Sequence, residues 1–288
     1  VDVVVTGANG QLGREVVTRW TQDAVTPLTR AELDVTDEAA VRDVLHDLRP
    51  EVVVNCAAWT AVDACEDDPA RAHTANALAP WWLARACDAI GARLIHVSTD
   101  YVFDGTAPVG PGGDPRGFTA FDPVAPRSEY GRSKAAGEAL VRQALREHHI
   151  VRTAWVCGAH GRNFVTTMLD LAERGGPVRV VDDQHGGPTF TADLAVSLRE
   201  FAASDRFGTW HRTNSGHTSW FGLAEATFEL AGLEVDLGPQ PSSALDRPAP
   251  RPAWSVLDAT HAAASGFAPL PHWRDGLRDL LGELGRLA

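Results

Sequence analysis

Three residue types are nearly absent from this chain of 288 residues: it has a single lysine, Lys134, one methionine and two tyrosines, and arginine carries the positive charge everywhere else. Basic charge is short overall, 26 Lys and Arg against 38 Asp and Glu, for a formal net charge of -12. That balance excludes nucleic acid or an anionic membrane surface as the main partner, since either would need a basic face. A phosphate on a ligand must be met locally, by helix ends and chosen arginines. The four cysteines, Cys56, Cys65, Cys87 and Cys157, form no Cys-x-x-Cys pair and sit in apolar stretches. Buried thiols in a reducing cytosol fit this pattern, and neither disulfides nor zinc are expected. No apolar run reaches the ~18 residues of a membrane span. The first residues read as a strand entering a glycine turn, unlike a charged-then-apolar leader, so a cytoplasmic protein is expected.

What is present is a chain with 44% hydrophobic residues, enough for one large or two modest domains. Its first half alternates short β-branched runs with helical patterns, the mark of a parallel sheet wrapped by crossover helices. Strands are expected at about 1–6, 24–28, 51–55 and 93–98, and helices at about 11–21, 37–47, 69–90 and 130–147. The fold class is therefore α/β, a doubly wound parallel sheet of Rossmann type with a smaller C-terminal substrate-binding domain. Residues 1–152 form the nucleotide-binding domain, with about 188–206 returning to it, and 153–288 belong mainly to the substrate domain. Helices are expected there near 161–174, 191–203, 219–231 and 272–287. The Gly- and Pro-rich stretch 104–129 lacks periodicity and reads as a loop over a site.

Ligands of such sheets lie beyond the carboxyl ends of the strands, and the informative residues fall there. Val3-Val4-Val5-Thr6 runs into Gly7-Ala8-Asn9-Gly10-Gln11-Leu12-Gly13 and then a helix. Glycines so placed permit a tight turn and let a pyrophosphate approach the backbone, while the helix start offers free N–H groups to it. The end of the second strand, Leu28-Thr29-Arg30, offers a hydroxyl and a guanidinium where an acidic residue would favour a free ribose hydroxyl. This favours NADPH, with NADH possible. The alternative is a solvated surface arginine, and Glu32 and Asp34 nearby leave that open. Asp34-Val35 is placed beside the adenine, and the Ala57-Ala58-Trp59 segment ending the third strand leaves room for the cofactor backbone.

Tyr130 stands four residues before Lys134, so on a helix the phenol and the ammonium share a face one turn apart. A phenol of ordinary pKa near ~10 exchanges protons poorly at neutral pH unless a positive charge stabilises its phenolate. The lone lysine can do that. Strand four ends Ser98-Thr99-Asp100, and Thr99 would hold a carbonyl oxygen against the phenol. In the reducing direction a nicotinamide hydride goes to the carbonyl carbon while Tyr130 protonates the oxygen.

With these residues in place the chain resembles the extended short-chain dehydrogenase/reductases, and within them the dTDP-4-dehydrorhamnose reductase family. The likeness runs almost end to end. It includes Gly10-Gln11-Leu12-Gly13, Ala57-Ala58-Trp59-Thr60-Ala61-Val62-Asp63, Ser98 through Gly105, and Tyr130-Gly131-Arg132-Ser133-Lys134. Arg152-Thr153-Ala154-Trp155-Val156, Asn163-Phe164, Asp183-Gln184-His185-Gly186 and Arg251-Pro252 continue it. The resemblance implies catalytic Thr99, Tyr130 and Lys134, and a dTDP-sugar substrate touched by Thr99, Asp100, Val102 and Trp155. Asn163, Phe164 and Gln184 would line the nucleotide or pyrophosphate side. It implies reduction of dTDP-4-dehydro-6-deoxy-L-mannose to dTDP-L-rhamnose, by a monomer or homodimer. Two alternatives stay open: a reductase of another dTDP-4-ketohexose, and a non-catalytic subunit like the regulatory subunit of methionine adenosyltransferase. Cys157 stands where relatives commonly have tyrosine, and Thr119-Ala120-Phe121 where an acidic residue is usual. Some members dimerise through magnesium, but no carboxylate set here matches, and no required metal is expected.

Overall fold

The computed structural model describes residues 1–288. Strands β1 (Asp2–Thr6), β2 (Ala24–Leu28), β3 (Val52–Asn55), β4 (Arg93–Thr99) and β5 (His148–Thr153) form one sheet with the strand Gly208–His211. The spatial order is Gly208–His211, β5, β4, β3, β1, β2, and every pairing is parallel. β1 and β3 lie inside the sheet and are covered on both faces, which is why Val3-Val4-Val5 and Val52-Val53-Val54 read as unbroken apolar runs. Pro27 is tolerated because β2 is an edge strand and pairs with β1 alone.

Helix α1 (Gln11–Arg19) buries Leu12 and Val16 against the sheet, and α2 (Glu38–Leu48) buries Val41 and Leu45 on the other side. Asp37 caps α2, its carboxylate accepting from the Ala40 N–H at 3.0 Å. Helix Thr191–Ala202 comes back from the second half of the chain to pack beside α1, and Trp20 fastens the two by donating its indole N–H to the Ala195 carbonyl at 2.9 Å. The region expected as one helix over 69–90 is helical throughout, but a π-turn over Thr74–Leu78 separates Pro69–His73 from Ala79–Ile90. Pro80 explains the irregularity. It has no N–H to give to the carbonyl four residues back, and its ring needs that turn widened.

Two sheet strands, β5 and Gly208–His211, were not expected from the sequence. β5 opens on His148-His149, which breaks the apolar run, and Gly208–His211 has only four residues. Extending the sheet past Leu145 also ends helix Glu129–Ala144 three residues short of the expected 147.

The later part of the chain packs helices Phe164–Arg174, Trp220–Leu230 and Trp273–Glu283 around Phe190, Leu223 and Leu277, with three two-stranded sheets at its margins. The stretch 104–129 is a loop, but it does not cover the site. The Phe118 N–H donates to the Val256 carbonyl at 2.8 Å, the Asp258 N–H donates to the Phe118 carbonyl at 2.7 Å, and Trp254 donates to the Arg116 carbonyl at 2.9 Å. Arg116 grips Asp122 with two bonds of 2.6 and 2.7 Å. The C-terminal segment thus holds this loop down on the flank of the sheet. No helix of the chain is long and apolar enough to cross a membrane.

Candidate active site

A single crevice runs along the carboxyl ends of β1, β3 and β4, with Gly10, Cys56 and Ala58 at its waist. The outer half encloses about 460 Å³ and is lined by Gly7, Asn9, Arg30, Asp34, Val35, Ala57 and Trp59, among others. Gly7 has φ +67°, a conformation costly for other residues, and a Cβ there would lie 2.7 Å from the Ala57 nitrogen. A Cβ at Gly13 would fall on the Gly7 carbonyl oxygen, so α1 can start this close to the turn only with glycine. Gly10 caps α1 without a side-chain bond, leaving the helix N–H groups at the crevice free for an anion. This shape fits a dinucleotide pyrophosphate.

Arg30 is 73% exposed and donates to Asp34 Oδ2 from Nε at 3.2 Å and from Nη2 at 3.1 Å. Hydrogen bonds from Thr36, then Arg30, hold the Asp34 carboxyl below its ordinary range. Thr29 does not line the crevice; its N–H donates to Glu32 at 2.6 Å. Arg71, whose side chain lies over Trp59 at 4.4 Å, lines the outer half as well and carried no sequence signal.

The inner half encloses about 470 Å³ and brings together Gln11, Leu12, Thr99, Asp100, Tyr130, Lys134, Trp155 and Phe164. Tyr130, Lys134, Thr99 and Asp100 are all buried. Thr99 ends β4, where its hydroxyl donates to Asp100 Oδ1 at 2.8 Å and accepts from the Tyr101 N–H at 3.2 Å. Burial raises the Tyr130 phenol pKa, and the nearby Thr99 opposes this without offsetting it. The Lys134 side-chain nitrogen donates to the Val97 carbonyl at 2.7 Å and lies 3.4 Å from His96 Nε2. Burial lowers the Lys134 pKa to about 8 against the opposing pull of Glu138. Burial pushes Asp100 up to about 6, and its Oδ2 is a buried oxygen with no hydrogen-bond partner.

The helix carrying Tyr130 and Lys134 is fixed from both ends. Ser128 caps it, accepting from the Gly131 N–H at 3.1 Å. One turn beyond Lys134, Glu138 is fully buried and accepts from Ser98 at 2.7 Å, from Arg152 at 2.8 and 2.7 Å, and from Arg142 at 2.6 Å. Burial alone would raise the Glu138 pKa; the two arginines hold it below the ordinary range. Asn76, in the π-turn, donates to the Ser133 hydroxyl at 3.1 Å and exchanges bonds with the Trp59 backbone at 2.9 and 3.0 Å. It joins the waist of the crevice to the helix of Tyr130 and Lys134.

Trp155 has φ +48°, rare for a residue other than glycine and strained enough to need support from its surroundings. Trp220 supplies that support, stacked on it with ring centroids 3.5 Å apart, and Phe164 lies against Trp220 at 4.6 Å. Nothing in the sequence singled out Trp220 among nine tryptophans. The remaining expected site residues lie elsewhere. Val102 is fully buried in a cluster with Phe103, Phe118 and Leu257, Gln184 donates to Ser242 at 2.8 Å away from the crevice, and Asn163 caps the helix Phe164–Arg174. Asn163 reaches the site indirectly, donating to Gln11 Oε1 at 3.1 Å.

The family model described as "RmlD substrate binding domain" matches residues 1–286. A dTDP-4-dehydrorhamnose reductase from Streptomyces griseus is 48% identical, the match covering 98% of this chain and 95% of that protein. A probable dTDP-4,6-dihydroxy-2-methyloxan-3-one 4-ketoreductase from Streptomyces antibioticus is 43% identical, covering 98% and 95%. The crystal structure of dTDP-4-dehydrorhamnose reductase from Bacillus anthracis in complex with NADP superposes with a TM-score of 0.93 at 35% identity, covering 98% of both chains.

Proposed function

From the premise that this chain belongs to the RmlD substrate-binding-domain family, we propose that it is an NAD(P)H-dependent sugar-nucleotide ketoreductase that uses NADPH to convert dTDP-4-dehydro-6-deoxy-L-mannose to dTDP-L-rhamnose. The observation that carries this reading is the meeting of Thr99, Tyr130 and Lys134, all buried, in the inner half of a crevice whose outer half is a glycine-turn nucleotide cradle. The dinucleotide, when bound, supplies a hydride. Residues 1–152, with the helix Thr191–Ala202 and the strand Gly208–His211, serve it, and most of 153–288 serves the sugar nucleotide.

The chain's own residues manage the proton and the orientation. Thr99 and Tyr130 together take the C4 carbonyl oxygen, and Tyr130 donates its proton as negative charge grows there. Lys134, when charged, favours the phenolate left behind. The Trp155–Trp220 stack is an apolar wall suited to a deoxysugar, and the Asp100 carboxylate lines the same space as an acceptor for a sugar hydroxyl. Arg30 would meet a 2′-phosphate by releasing Asp34, which supports NADPH and leaves NADH usable.

The relative from S. antibioticus favours a second reading, a related dTDP-4-ketohexose as substrate. The intact Thr99, Tyr130 and Lys134 speak against a purely regulatory subunit. Mixing the purified protein with NADPH and dTDP-4-dehydro-6-deoxy-L-mannose should consume the nicotinamide absorbance. No consumption with this sugar but turnover of another dTDP-4-ketohexose would select the second reading.

A further inference from the structure

A row of buried polar groups crosses the sheet beneath the crevice and ends on Lys134. The Ala57 N–H donates to Asn55 Oδ1 at 3.1 Å, and the Thr6 hydroxyl donates to the same oxygen at 2.8 Å. A backbone N–H can only donate, so it fixes which end of the Asn55 amide is oxygen. The other end, Nδ2, lies 3.0 Å from His96 Nδ1. An amide NH₂ can only donate, so Nδ1 must be the bare, accepting nitrogen of the ring. His96 is fully buried, and burial, the largest influence on it, keeps it neutral. A neutral imidazole with a bare Nδ1 carries its proton on Nε2. That N–H faces Lys134 Nζ at 3.4 Å. An ammonium has no lone pair to receive it; an amine has one.

We propose that His96 is a positioning residue: its Nε2–H, fixed by Asn55, hydrogen-bonds the amine form of Lys134 and keeps that nitrogen at the Val97 carbonyl. With a midpoint near 8, Lys134 is mostly ammonium at neutral pH and amine above it, and negative charge on a bound phosphate or on the Tyr130 phenolate draws a proton from solvent onto the remaining amine. The other groups around it fit this. On its own helix Glu138, shared between Arg152 and Arg142, favours the ammonium but is outweighed by burial, and from the end of β3 the Cys56 thiol, pushed up to about 12 by burial, stays uncharged. Arg142 and His148 act on His96 and add only positive charge.

The functional meaning rests on the reductase reading above, but the test observes the lysine itself. Because Lys134 is the only lysine, lysine labelled with ¹³C at Cε gives one NMR resonance from the whole protein. Its titration midpoint is expected near 8. Asn55→Leu removes the bond that fixes the tautomer without changing charge, lets Nε2 become an acceptor, and should raise the midpoint by about one unit or more, a tenfold change in proton affinity. The high-pH limb of the kcat/KM profile should move up with it. A wild-type midpoint in the ordinary lysine range near ~10.4, or a folded Asn55→Leu with an unmoved midpoint, overturns the proposal. If Asn55→Leu does not fold, ¹⁵N spectra of the wild type decide, with His96→Gln identifying the resonance. Protonated Nε2 is expected, and protonated Nδ1 overturns the proposal. A protein that turns over no ketosugar yet keeps the low midpoint would sink the reductase reading and leave the His96 assignment standing.

Discussion

The two halves of the crevice are built on opposite principles. In the outer half the side chains that would read the nucleotide are exposed and loosely held: Arg30 is 73% exposed and its partner Asp34 39%. In the inner half Thr99, Tyr130 and Lys134 are buried, and the helix bearing two of them is tied down by Ser128, Asn76 and the Glu138–Arg152 pair. Exposed ion pairs contribute little, about 0–1 kcal/mol, and can rearrange at small cost. A buried carboxylate gripped by two arginines cannot. The outer half is therefore adjustable, whereas the arrangement of Thr99, Tyr130 and Lys134 is fixed by the packing of the chain itself.

Breaking the inner half should have the largest effects. Tyr130→Phe removes the proposed proton donor, and kcat should fall by about 10²–10⁴ while the fold is kept and dinucleotide affinity, read by fluorescence titration, stays close to wild type. Glu138→Gln leaves Arg152 buried without its counter-charge. The cost should be about 3–5 kcal/mol in urea unfolding, with lost activity following from lost structure. The buried histidines sharpen the contrast through pH. Burial lowers His149 to about 4 and His211 to about 3, so the folded chain keeps both neutral. Their stabilisation is complete above the unfolded histidine pKa near ~6.5 and is lost as pH falls from there toward those folded values, by up to about 1.4 kcal/mol per pH unit for each. Unfolding midpoints between pH 7 and 5 measure this, and a flat profile would contradict it. The smallest effect belongs to the outer half: Arg30→Ala should raise KM for NADPH by about tenfold or less, leave KM for NADH nearly unchanged, and not alter stability.

Much of this was legible in the residues, because strong local rules agreed with the fold. Val3–Thr6, the glycine turn and α1 follow from apolar run, φ requirement and helix start together, and the Tyr130–Lys134 pair follows from helical spacing. What could not be read depends on partners distant in the chain. Trp220 matters because it stacks on Trp155, Gln184 fails to reach the crevice because Ser242 holds it, and Val102 turns into the core beside Phe118. The loop 104–129 looked like a cover for the site because it is long and Gly-rich. Its placement is decided by backbone bonds to residues 254–258, which no local pattern announces. The pairing of Lys134 with Tyr130 was expected from spacing, and the contacts of that lysine with Val97 and His96 were not.

The lone lysine is also a built-in gauge of opening. A protease that cuts only after lysine has one target bond in this chain, in the middle of a helix whose Lys134 is 2% exposed. It can cut only molecules in which that helix has come away from the sheet. Under conditions where reclosing is faster than cleavage, the digestion rate counts that open population, and a ligand that grips the crevice would be seen as protection of a single peptide bond.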